Sequence, residues 1–349
     1  MDLSNLEWKE FIIGEVFDVV NSKAYHKNEL SIVVDNEIPY ITRSMFDNGL
    51  DSFVEEKDDF IKNPKNSIVF GAESALFFYE PFEYITGNKM YYISHERFNK
   101  YICLFLVGIL NNAISNSAFG FGYGLTGSRL KNVRILLPVD GEGKPNFKFM
   151  QDYVINLEKD KLKKSKEHIL KCLNDLEYKE IEQLNEKSWN EFNISDIFEN
   201  LQRGKRLTKK EFLDGDIPYV SSTANNNGLD AFIGNTEDVR IFSNCLTLAN
   251  SGSVGSTFYH PYSFVASDHV THLKNEKFNK YIYLFLASII KRLDEKYNFN
   301  REINDERLRR EMIILPVTDE GKPDYDYMEQ YMINLEINLL EKYVDYIKE

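Results

Sequence analysis

The sequence predicts an α+β fold in which one unit, a small domain with a curved mixed sheet followed by a long helix, occurs twice. Motifs recur in the same order at offsets of 178 to 181 residues, which indicates an internal duplication. The 21 Tyr and 25 Phe residues favour strands. A stretch rich in Lys and Glu, without Pro or Gly, extends from about Asn146 to Glu186. Such a stretch is typical of a long exposed helix.

The duplication is carried by short motifs spread over the whole chain. The pairs are Trp8-Lys-Glu-Phe11 with Trp189-Asn-Glu-Phe192, Ile38-Pro-Tyr40 with Ile217-Pro-Tyr219, Phe98–Leu106 with Phe278–Leu286, Leu137-Pro-Val139 with Leu315-Pro-Val317, and Met150–Glu158 with Met328–Glu336. Their positions predict a first domain at 1–145, a long helix at 146–187, a second domain at 188–323 and a C-terminal helix at 324–349. No flexible linker separates these parts, so we expect a rigid arrangement.

Each domain combines strand-like runs with one helix and a tight turn. Helices are predicted at Phe98–Leu110 and Phe278–Leu293. The Asp47-Asn-Gly and Asn226-Asn-Gly segments predict turns with positive φ. Strands are predicted at 66–70, 89–93 and 134–137, and again at 239–242, 269–273 and 312–315.

The two long helices each carry one apolar seam. Apolar and Tyr residues recur every three or four positions from Tyr153 to Leu184, and again from Met328 to Tyr346. A narrow seam on a highly charged helix is typical of a coiled coil rather than of a globular core. We therefore expect the helices to form a coiled-coil spacer.

Composition predicts a soluble, cytoplasmic protein. The longest apolar runs, near Tyr101–Leu110 and Tyr281–Ile290, are too short to span a bilayer. The first seven residues lack the basic and apolar regions of a signal peptide. The odd cysteine count and the lack of a shared framework predict reduced, buried thiols. These cysteines are Cys103, Cys172 and Cys245.

The net charge of −13 leaves two interpretations open. Nucleic-acid-binding proteins usually carry a basic patch and often a basic total. Either the chain does not bind nucleic acid, or its basic residues cluster locally while partner subunits supply more positive charge.

No pattern in the sequence predicts catalysis, a metal or a bound cofactor. A P-loop is absent. The Phe119–Gly124 segment is glycine-rich, but it follows a helix and a polar loop rather than a strand, which is more typical of a turn than of a cofactor loop. His260, His269 and His272 have no cysteine or carboxylate cluster that would complete a zinc site, and His269 and His272 would point to opposite faces of a strand.

Polar loops are the candidate recognition elements. In the second domain the candidates are Ser221, Ser222, Thr223, Asn225, Asn226 and Asn227, and the equivalent loop of the first domain contributes Arg43, Ser44 and Asn48. Asn pairs with adenine through two hydrogen bonds, and Ser or Thr can reach bases or phosphates. Asn-rich loops are also ordinary turns. The duplication, with different residues at the two loop tips, favours recognition of two different sequences.

Basic and small residues near these loops predict phosphate contacts. They are Arg129, Arg203, Lys205, Arg206 and Arg301, with Ser251 and Ser253 in the Ser251-Gly-Ser-Val-Gly-Ser256 segment. Local cations act on a phosphate within about 10 Å, whatever the net charge of the chain. A solvated charged surface and a tight loop between strands are the alternative interpretations of these two features.

The duplicated order of domain and long helix resembles the specificity subunit of type I restriction–modification systems and the related type IIB specificity subunits. The residues that carry the resemblance include the Trp8 and Trp189 openings, the Ile-Pro-Tyr strands, the Ser221–Gly228 loop and the Ser251–Ser256 segment. It covers essentially the whole chain. In the first half, Gly71-Ala-Glu-Ser-Ala-Leu76 stands where the second half has Ser251–Ser256.

The resemblance implies two target-recognition domains held apart by two long antiparallel helices. Each domain would read one half of a bipartite site in double-stranded DNA. The helices would bind two methyltransferase subunits, which supply S-adenosylmethionine and methylate adenine, and a restriction subunit would join where the complex cleaves. The chain itself would have no enzymatic activity. The alternative hypothesis is an acidic interaction protein, either a DNA mimic or a coiled-coil scaffold, and the net charge favours it.

Overall fold

The computed structural model describes residues 3, 6–34, 37–115, 117, 119–120 and 122–348. The chain divides into two compact units, Met1–Ser165 and Lys166–Glu349. Phe121 of the glycine-rich segment lies outside the described residues, as do four of the first seven residues, on which the signal-peptide prediction depends. Among the described residues, no helix is both long and apolar enough to cross a membrane.

Among its described residues, the first unit contains ten strands and the start of the first long helix. Its strands are β1 Trp8–Ile12, β2 Asp18–Asn21, β3 Ile32–Val33, β4 Ile38–Ile41, β5 Leu50–Val54, β6 Ser67–Gly71, β7 Phe77–Glu80, β8 Ile85–Thr86, β9 Met90–Ser94 and β10 Arg134–Pro138. Its helices are α1 Ile13–Val16, α2 Lys100–Ser115, α3 Gly127–Leu130 and α4 Phe147–Asn174. Helix α4 continues past Ser165 into the second unit.

The second unit repeats this element order. Its strands are β11 Trp189–Asn193, β12 Asn200–Arg203, β13 Ile217–Val220, β14 Leu229–Ile233, β15 Ile241–Phe242, β16 Cys245–Ala249, β17 Thr257–His260, β18 Phe264–Ala266, β19 Val270–Lys274 and β20 Met312–Pro316. Its helices are α5 Ile194–Ile197, α6 Lys280–Lys291, α7 Asp305–Arg309 and α8 Tyr325–Lys348.

Each unit contains a two-stranded ribbon and two four-stranded sheets. The ribbons pair β1 with β10 and β11 with β20. One sheet is antiparallel, in the order β2-β9-β6-β7 or β12-β19-β16-β17. The other sheet, β3-β5-β4-β8 or β14-β13-β18-β15, includes one parallel pair, so mixed sheets are confirmed. The units differ at the edge of this sheet, because β3 joins β5 while β15 joins β18.

The predicted strands and helices are present in whole or in part, and the structure adds strands that were not predicted, β16 among them. Of the 239–242 run only Ile241–Phe242 is a strand, and the longer strand β16 follows it at Cys245–Ala249. All five residues of β16 are buried. A strand buried on both faces lacks the alternating polar pattern that identifies a strand in sequence. Helix α2 continues through Gly108 to Ser115, beyond its predicted end.

Each long helix begins in the hydrophobic core of its own domain. Met150 in α4 and Met328 in α8 are fully buried in these cores. Equivalent ion pairs join each helix to the domain, Lys100–Glu158 at 2.7 Å and Lys280–Glu336 at 2.9 Å. Burying a flexible methionine side chain stabilises such a junction by about 1.5–3 kcal/mol. Of the three cysteines, Cys103 and Cys245 are buried, whereas Cys172 on α4 is partly exposed.

The long helix predicted over 146–187 ends earlier, at Asn174. Residues 176–183 have no regular secondary structure and lie along α8. Asn334 donates to the Lys179 carbonyl oxygen (2.7 Å), and Gln330 donates to the Glu177 carbonyl oxygen (2.9 Å). Tyr327 donates to the Glu182 carbonyl oxygen (3.0 Å). Because α8 supplies hydrogen bonds to this backbone, local helix propensity does not decide its conformation.

Glu80 and His260 occupy equivalent buried positions, and burial shifts their pKa values in opposite directions. Glu80 ends β7 opposite Ser67, and His260 ends β17 opposite Cys245. Burial raises the pKa of Glu80 to about 8 and lowers the pKa of His260 to about 4. Desolvation disfavours the charged form of each side chain. Both domains are therefore most stable when this position is neutral.

We expect the two units to lose stability at opposite ends of the pH range. From pH 4.5 to about 8, folded Glu80 keeps a proton that the unfolded chain has released, so the free energy of unfolding falls as pH rises. From pH 6.5 down to about 4, the unfolded chain binds a proton that folded His260 does not, so it falls as pH decreases. Each effect is at most about 1.4 kcal/mol per pH unit.

Thermal unfolding between pH 4 and 9 tests this expectation. Glu80→Gln should flatten the decline at high pH, and His260→Gln the decline at low pH. Glu7→Gln, at a side chain that is 68% exposed, is the matched control. If neither core variant changes the profile, the assignment of these pH effects to the two buried groups is wrong.

Candidate nucleic-acid interface

Three loops meet at one surface in each unit, and we call this the three-loop surface. In the first unit the loops are 42–49 after β4, 72–76 after β6 and 87–89 before β9. The Ala72 amide donates to the Lys89 carbonyl oxygen (3.0 Å), and Arg43 forms an ion pair with Glu73. These contacts join all three loops.

The second unit builds the same surface from 221–228, 250–256 and 267–269. The Asn250 amide donates to the His269 carbonyl oxygen (2.8 Å). The Ser253 amide donates to the Ser222 carbonyl oxygen (3.0 Å). Ser251 and Ser253, predicted as recognition residues, therefore lie beside the Ser221–Gly228 loop in space although they are far from it in sequence.

The first loop of each surface is a closed turn with exposed tip side chains. The Thr42 amide donates to the Gly49 carbonyl oxygen (2.8 Å), and the Ser221 amide donates to the Gly228 carbonyl oxygen (2.9 Å). Positive φ is confirmed at both predicted turns: Asp47 49°, Asn48 54° and Gly49 85°, with Asn226 49°, Asn227 54° and Gly228 81°. Asn and Gly tolerate this conformation better than other residues. Asn therefore serves the turn while its amide group faces solvent.

Ser44 and Thr223 stabilise these turns from inside. The Ser44 hydroxyl accepts a hydrogen bond from the Phe46 amide (3.1 Å), and the Thr223 hydroxyl accepts one from the Asn225 amide (3.2 Å). Such side-chain to backbone bonds are typical of Ser and Thr in turns. The structure thus gives these two predicted recognition residues a local structural role.

The tip of the first loop is apolar, which the sequence analysis missed. Met45 is 63% exposed and Phe46 is 75% exposed. The corresponding residues of the second loop are Ala224 and Asn225, both exposed. The spacing of the flanking motifs identifies the two tips as equivalent, and only the structure shows that the first one is apolar and unburied.

Two residues predicted to contact phosphate form ion pairs within the protein. Arg203 donates through Nε to Asp305 (2.7 Å) and through Nη2 to the Ile303 carbonyl oxygen (3.2 Å). Lys205 forms an ion pair with Asp238 at 2.7 Å, and the Lys205 hydrogen bond lowers the pKa of that carboxyl. The structure thus gives Arg203 a structural role, and its contact with DNA stays a prediction. Arg206 is exposed.

A shallow cavity of about 260 Å³ adjoins the second three-loop surface. Its lining includes two cations, two carboxylates, two hydroxyl groups and an imidazole, from Arg206, Lys209, Asp230, Asp268, Ser221, Ser222 and His269. Hydrogen-bond donors and acceptors therefore surround an open space, an arrangement that suits the polar edge of a base.

Arg129 and Arg301 lie on segments that flank the surfaces. Arg129 lies 4.0 Å from the Tyr123 ring centre and donates to the Gly124 carbonyl oxygen (2.5 Å). Arg301 lies 5.2 Å from the Tyr297 ring centre. The structural counterpart of Arg129 is Arg307, which donates to the Glu302 carbonyl oxygen (2.6 Å).

The three candidate histidines lie in different environments. His269 lies in the turn before β19, not on the strand as expected, and His272 lies on β19. His260 and His272 are buried, and His272 stacks on Phe242 with ring centres 3.9 Å apart. Across the described part of the chain, no group of three or more His, Cys, Asp or Glu side chains could hold a metal ion.

Comparisons with known proteins identify one family. The family described as "Type I restriction modification DNA specificity domain" matches residues 5–167 and again residues 186–342. The chain is 31% identical over 335 residues to the specificity subunit of a type II restriction enzyme from Heyndrickxia coagulans, S.BcgI, and the match covers 95% of each protein. It resembles the crystal structure of a type I restriction–modification S subunit from M. genitalium, with a TM-score of 0.52 and 16% identity over 100% of this chain and 93% of that one.

Gly204→Ala should destabilise the second unit, because Gly204 lies too close to the neighbouring backbone for a side chain. A Cβ at Gly204 would lie 2.1 Å from the Ala266 carbonyl oxygen. Forcing these atoms apart also disturbs the Lys205–Ala266 backbone hydrogen bond (3.1 Å). We expect a loss of about 2–4 kcal/mol, as for other overpacked sites.

Gly108→Ala is the matched control for this substitution. Gly108 lies in α2, and a Cβ there would have no atom within 4 Å. Replacing Gly by Ala inside a helix stabilises by about 1 kcal/mol. Denaturant unfolding of the two variants should therefore give changes of opposite sign. Equal effects would contradict the close approach at Gly204.

Proposed function

The chain belongs to the family of type I restriction modification DNA specificity domains, and we propose that it reads a bipartite DNA site, one half with each three-loop surface. It is a non-catalytic specificity subunit of a restriction–modification system. The observation that carries the proposal is the pair of surfaces: the same backbone hydrogen bonds hold different side chains in the two units. A duplicated frame with different contact groups is suited to reading two different sequences.

Local positive charge supports DNA binding by an acidic chain. Arg206, Lys209 and Lys89 are exposed at or beside the three-loop surfaces. Screening confines electrostatic effects to about 8–10 Å at physiological salt, so these cations act on a nearby phosphate despite the net charge of −13. We propose that partner subunits add further positive charge around the DNA.

We propose that α4 and α8 pair as antiparallel coiled-coil spacers that set the distance between the two half-sites. Exposed apolar residues on both helices support this proposal: Leu157 and Leu162 on α4, and Leu335 and Leu339, four residues apart, on α8. At 1.5 Å per residue, the 28 residues of α4 span about 42 Å and the 24 residues of α8 about 36 Å. These lengths suit half-sites about one DNA turn apart.

The partners that we propose follow from membership of the family. Two methyltransferase subunits would bind the long helices, supply S-adenosylmethionine and methylate adenine in the cytoplasm. Restriction subunits would join where the complex cleaves DNA. An acidic DNA mimic or a coiled-coil scaffold is favoured only by the net charge. Neither would need two loop surfaces that carry different side chains.

Glycine substitutions separate base reading from turn formation in the Asn loop. Because Asn226 and Asn227 have positive φ, Asn226→Gly with Asn227→Gly keeps the turn and removes both amide groups. We expect the half-site read by the second unit to lose specificity, by about fivefold to 150-fold for each base contact removed, while the other half-site is unchanged. Mapping methylated sites made by the complex with its methyltransferase tests this.

The equivalent substitution Asn48→Gly should affect the other half-site. Asn225→Ala completes the series, because Asn225 does not have positive φ. If the glycine variants weaken both half-sites equally, the Asn loop does not read bases in one half-site. If the wild-type complex produces no bipartite motif, the proposed function is wrong.

The salt dependence of binding separates DNA recognition from DNA mimicry. For the complex with methyltransferase, we expect the logarithm of the affinity for a duplex to fall steeply with the logarithm of salt concentration. Arg206→Gln should reduce that slope by about 1 without changing base preference. Lys322→Gln, in an exposed turn where Lys322 pairs with Glu320, is the control. A mimic would bind no duplex at any salt concentration in fluorescence anisotropy.

A further inference from the structure

Three positions of the three-loop surface hold different chemistry in the two units, one position on each loop. We call these positions the triplet. The triplet is Arg43, Glu73 and Lys89 in the first unit and Ser222, Ser251 and His269 in the second. Glu73, Lys89 and His269 are not among the residues that the sequence analysis selected.

Strand register makes two of the triplet positions equivalent, and the first is Arg43 with Ser222, which each lie two residues after the paired ends of β4 and β13. Gly71 pairs with Met90 at the end of β6, and Ala249 pairs with Val270 at the end of β16. Lys89 directly precedes Met90 and His269 directly precedes Val270, so these two positions are equivalent. Glu73 and Ser251 each lie two residues beyond the end of the preceding strand, on loops of five and seven residues.

Glu73 holds both cations of the first triplet. Its carboxylate accepts hydrogen bonds from Arg43 and from Lys89, the latter at 2.5 Å. The Lys89 hydrogen bond, together with the charge of Arg43, lowers the pKa of the Glu73 carboxyl. Two cations and one carboxylate leave the triplet with one net positive charge. The side chains of Arg43 and Lys89 are 39% and 62% exposed, so they remain available to a ligand.

Glycine positions are matched to each triplet. In the first unit a Cβ on Gly71 would lie 2.9 Å from Cγ of Arg43. The aliphatic part of the Arg43 side chain therefore packs against a position without a Cβ. The second unit has Ala249 at this place, and its glycine is instead Gly252, where a Cβ would lie 2.8 Å from Oγ of Ser222. The backbone is therefore adapted to a long side chain in one unit and a short one in the other.

The second triplet is compact and carries no fixed charge. Ser251 Oγ and His269 Nδ1 share a hydrogen bond of 2.5 Å, and Ser251 is buried. The His269 side chain is 54% exposed, and its Nε2 lies 3.9 Å from the Asp268 carboxylate. This triplet offers hydroxyl groups and one imidazole nitrogen, in contrast to the guanidinium and ammonium groups of the first.

We propose that the triplet selects the base read by each domain, and that the first triplet selects guanine. Arginine donates to O6 and N7 of guanine in the major groove through two hydrogen bonds, the commonest specific contact to DNA. Glu73 acts as a positioning residue, because its hydrogen bond fixes the direction of the Arg43 guanidinium. Ser222 and His269 cannot form this two-bond contact, so the second domain reads another base. The inference rests on the proposed function and names the residues that execute it.

The test uses the complete complex with its methyltransferase subunits. Methylated sites are mapped for the wild type, Arg43→Ala, Arg43→Lys, Glu73→Gln and the exchange Arg43→Ser/Glu73→Ser/Lys89→His. Competition binding with duplexes that carry each base in turn gives the discrimination at every position. Lys144→Ala, which removes another exposed ion-paired lysine of the first unit, is the matched control. Thermal unfolding of each variant identifies loss of fold.

We expect Arg43→Ala to reduce discrimination for one guanine by about fivefold to 150-fold and to leave the other half-site unchanged. Arg43→Lys should not restore it, because lysine lacks the two-pronged geometry. Glu73→Gln should reduce discrimination at the same guanine more than it reduces overall affinity. The triple variant Arg43→Ser/Glu73→Ser/Lys89→His should change the preferred base at that position. If this variant does not fold, Arg43→Ala still tests the inference.

Two results would overturn the inference. The first is that Arg43→Ala and Glu73→Gln leave the base preferences of the first half-site unchanged while the complex still methylates a bipartite motif. That result would refute this inference and leave the proposed function intact. The other is an equal loss at all positions of both half-sites, which makes the triplet structural. A wild-type complex without any bipartite motif refutes the proposed function together with this inference.

Discussion

The hydrogen bonds between loops are the constraint on which the two recognition surfaces depend. In the first unit the Ala72 amide, just after β6, donates to the carbonyl oxygen of Lys89, just before β9. In the second unit the Asn250 amide, just after β16, donates to the carbonyl oxygen of His269, just before β19. This single contact fixes two loops against each other, and the closed turn of the third loop packs beside them. Because this contact uses only backbone atoms, the side chains of the two loops that it joins can differ between the units. Recognition can diverge without any change of fold.

The divergence between the units reaches the core as well as the surface. Glu80 and His260 occupy one buried position, and each is held neutral by desolvation although the two groups titrate in opposite directions. Gly71 and Gly252 give room to different neighbours on equivalent loops. At the buried position the duplicated backbone requires a neutral group, and each half meets this requirement with a different residue. The two domains therefore share a fold and not a set of contact residues.

The sequence predicted the features that local chemistry decides. The repeat, the mixed sheets and the positive φ at Asn48, Asn226 and Asn227 follow from motifs and from the preferences of Asn and Gly. The features that it missed depend on distant residues. Helix α4 ends at Asn174 because α8, about 150 residues further on, binds the following backbone. Arg203 is engaged by Asp305, 102 residues away. The composition and the motif spacing of the sequence do not predict such contacts between distant residues.

The same distinction explains how an acidic chain can carry a cationic reading site. A net charge of −13 sums over the whole molecule, whereas a phosphate or base responds to charges within a Debye length. At the first surface Glu73 is an acidic residue that promotes recognition, since it orients Arg43 and Lys89 and still leaves an excess of positive charge. In the second unit Asp305 pairs with Arg203, Asp238 with Lys205 and Asp230 with Lys209, whereas Arg206 is exposed. Carboxylates at the interface thus decide which cations face a ligand, and their number alone says little about DNA binding.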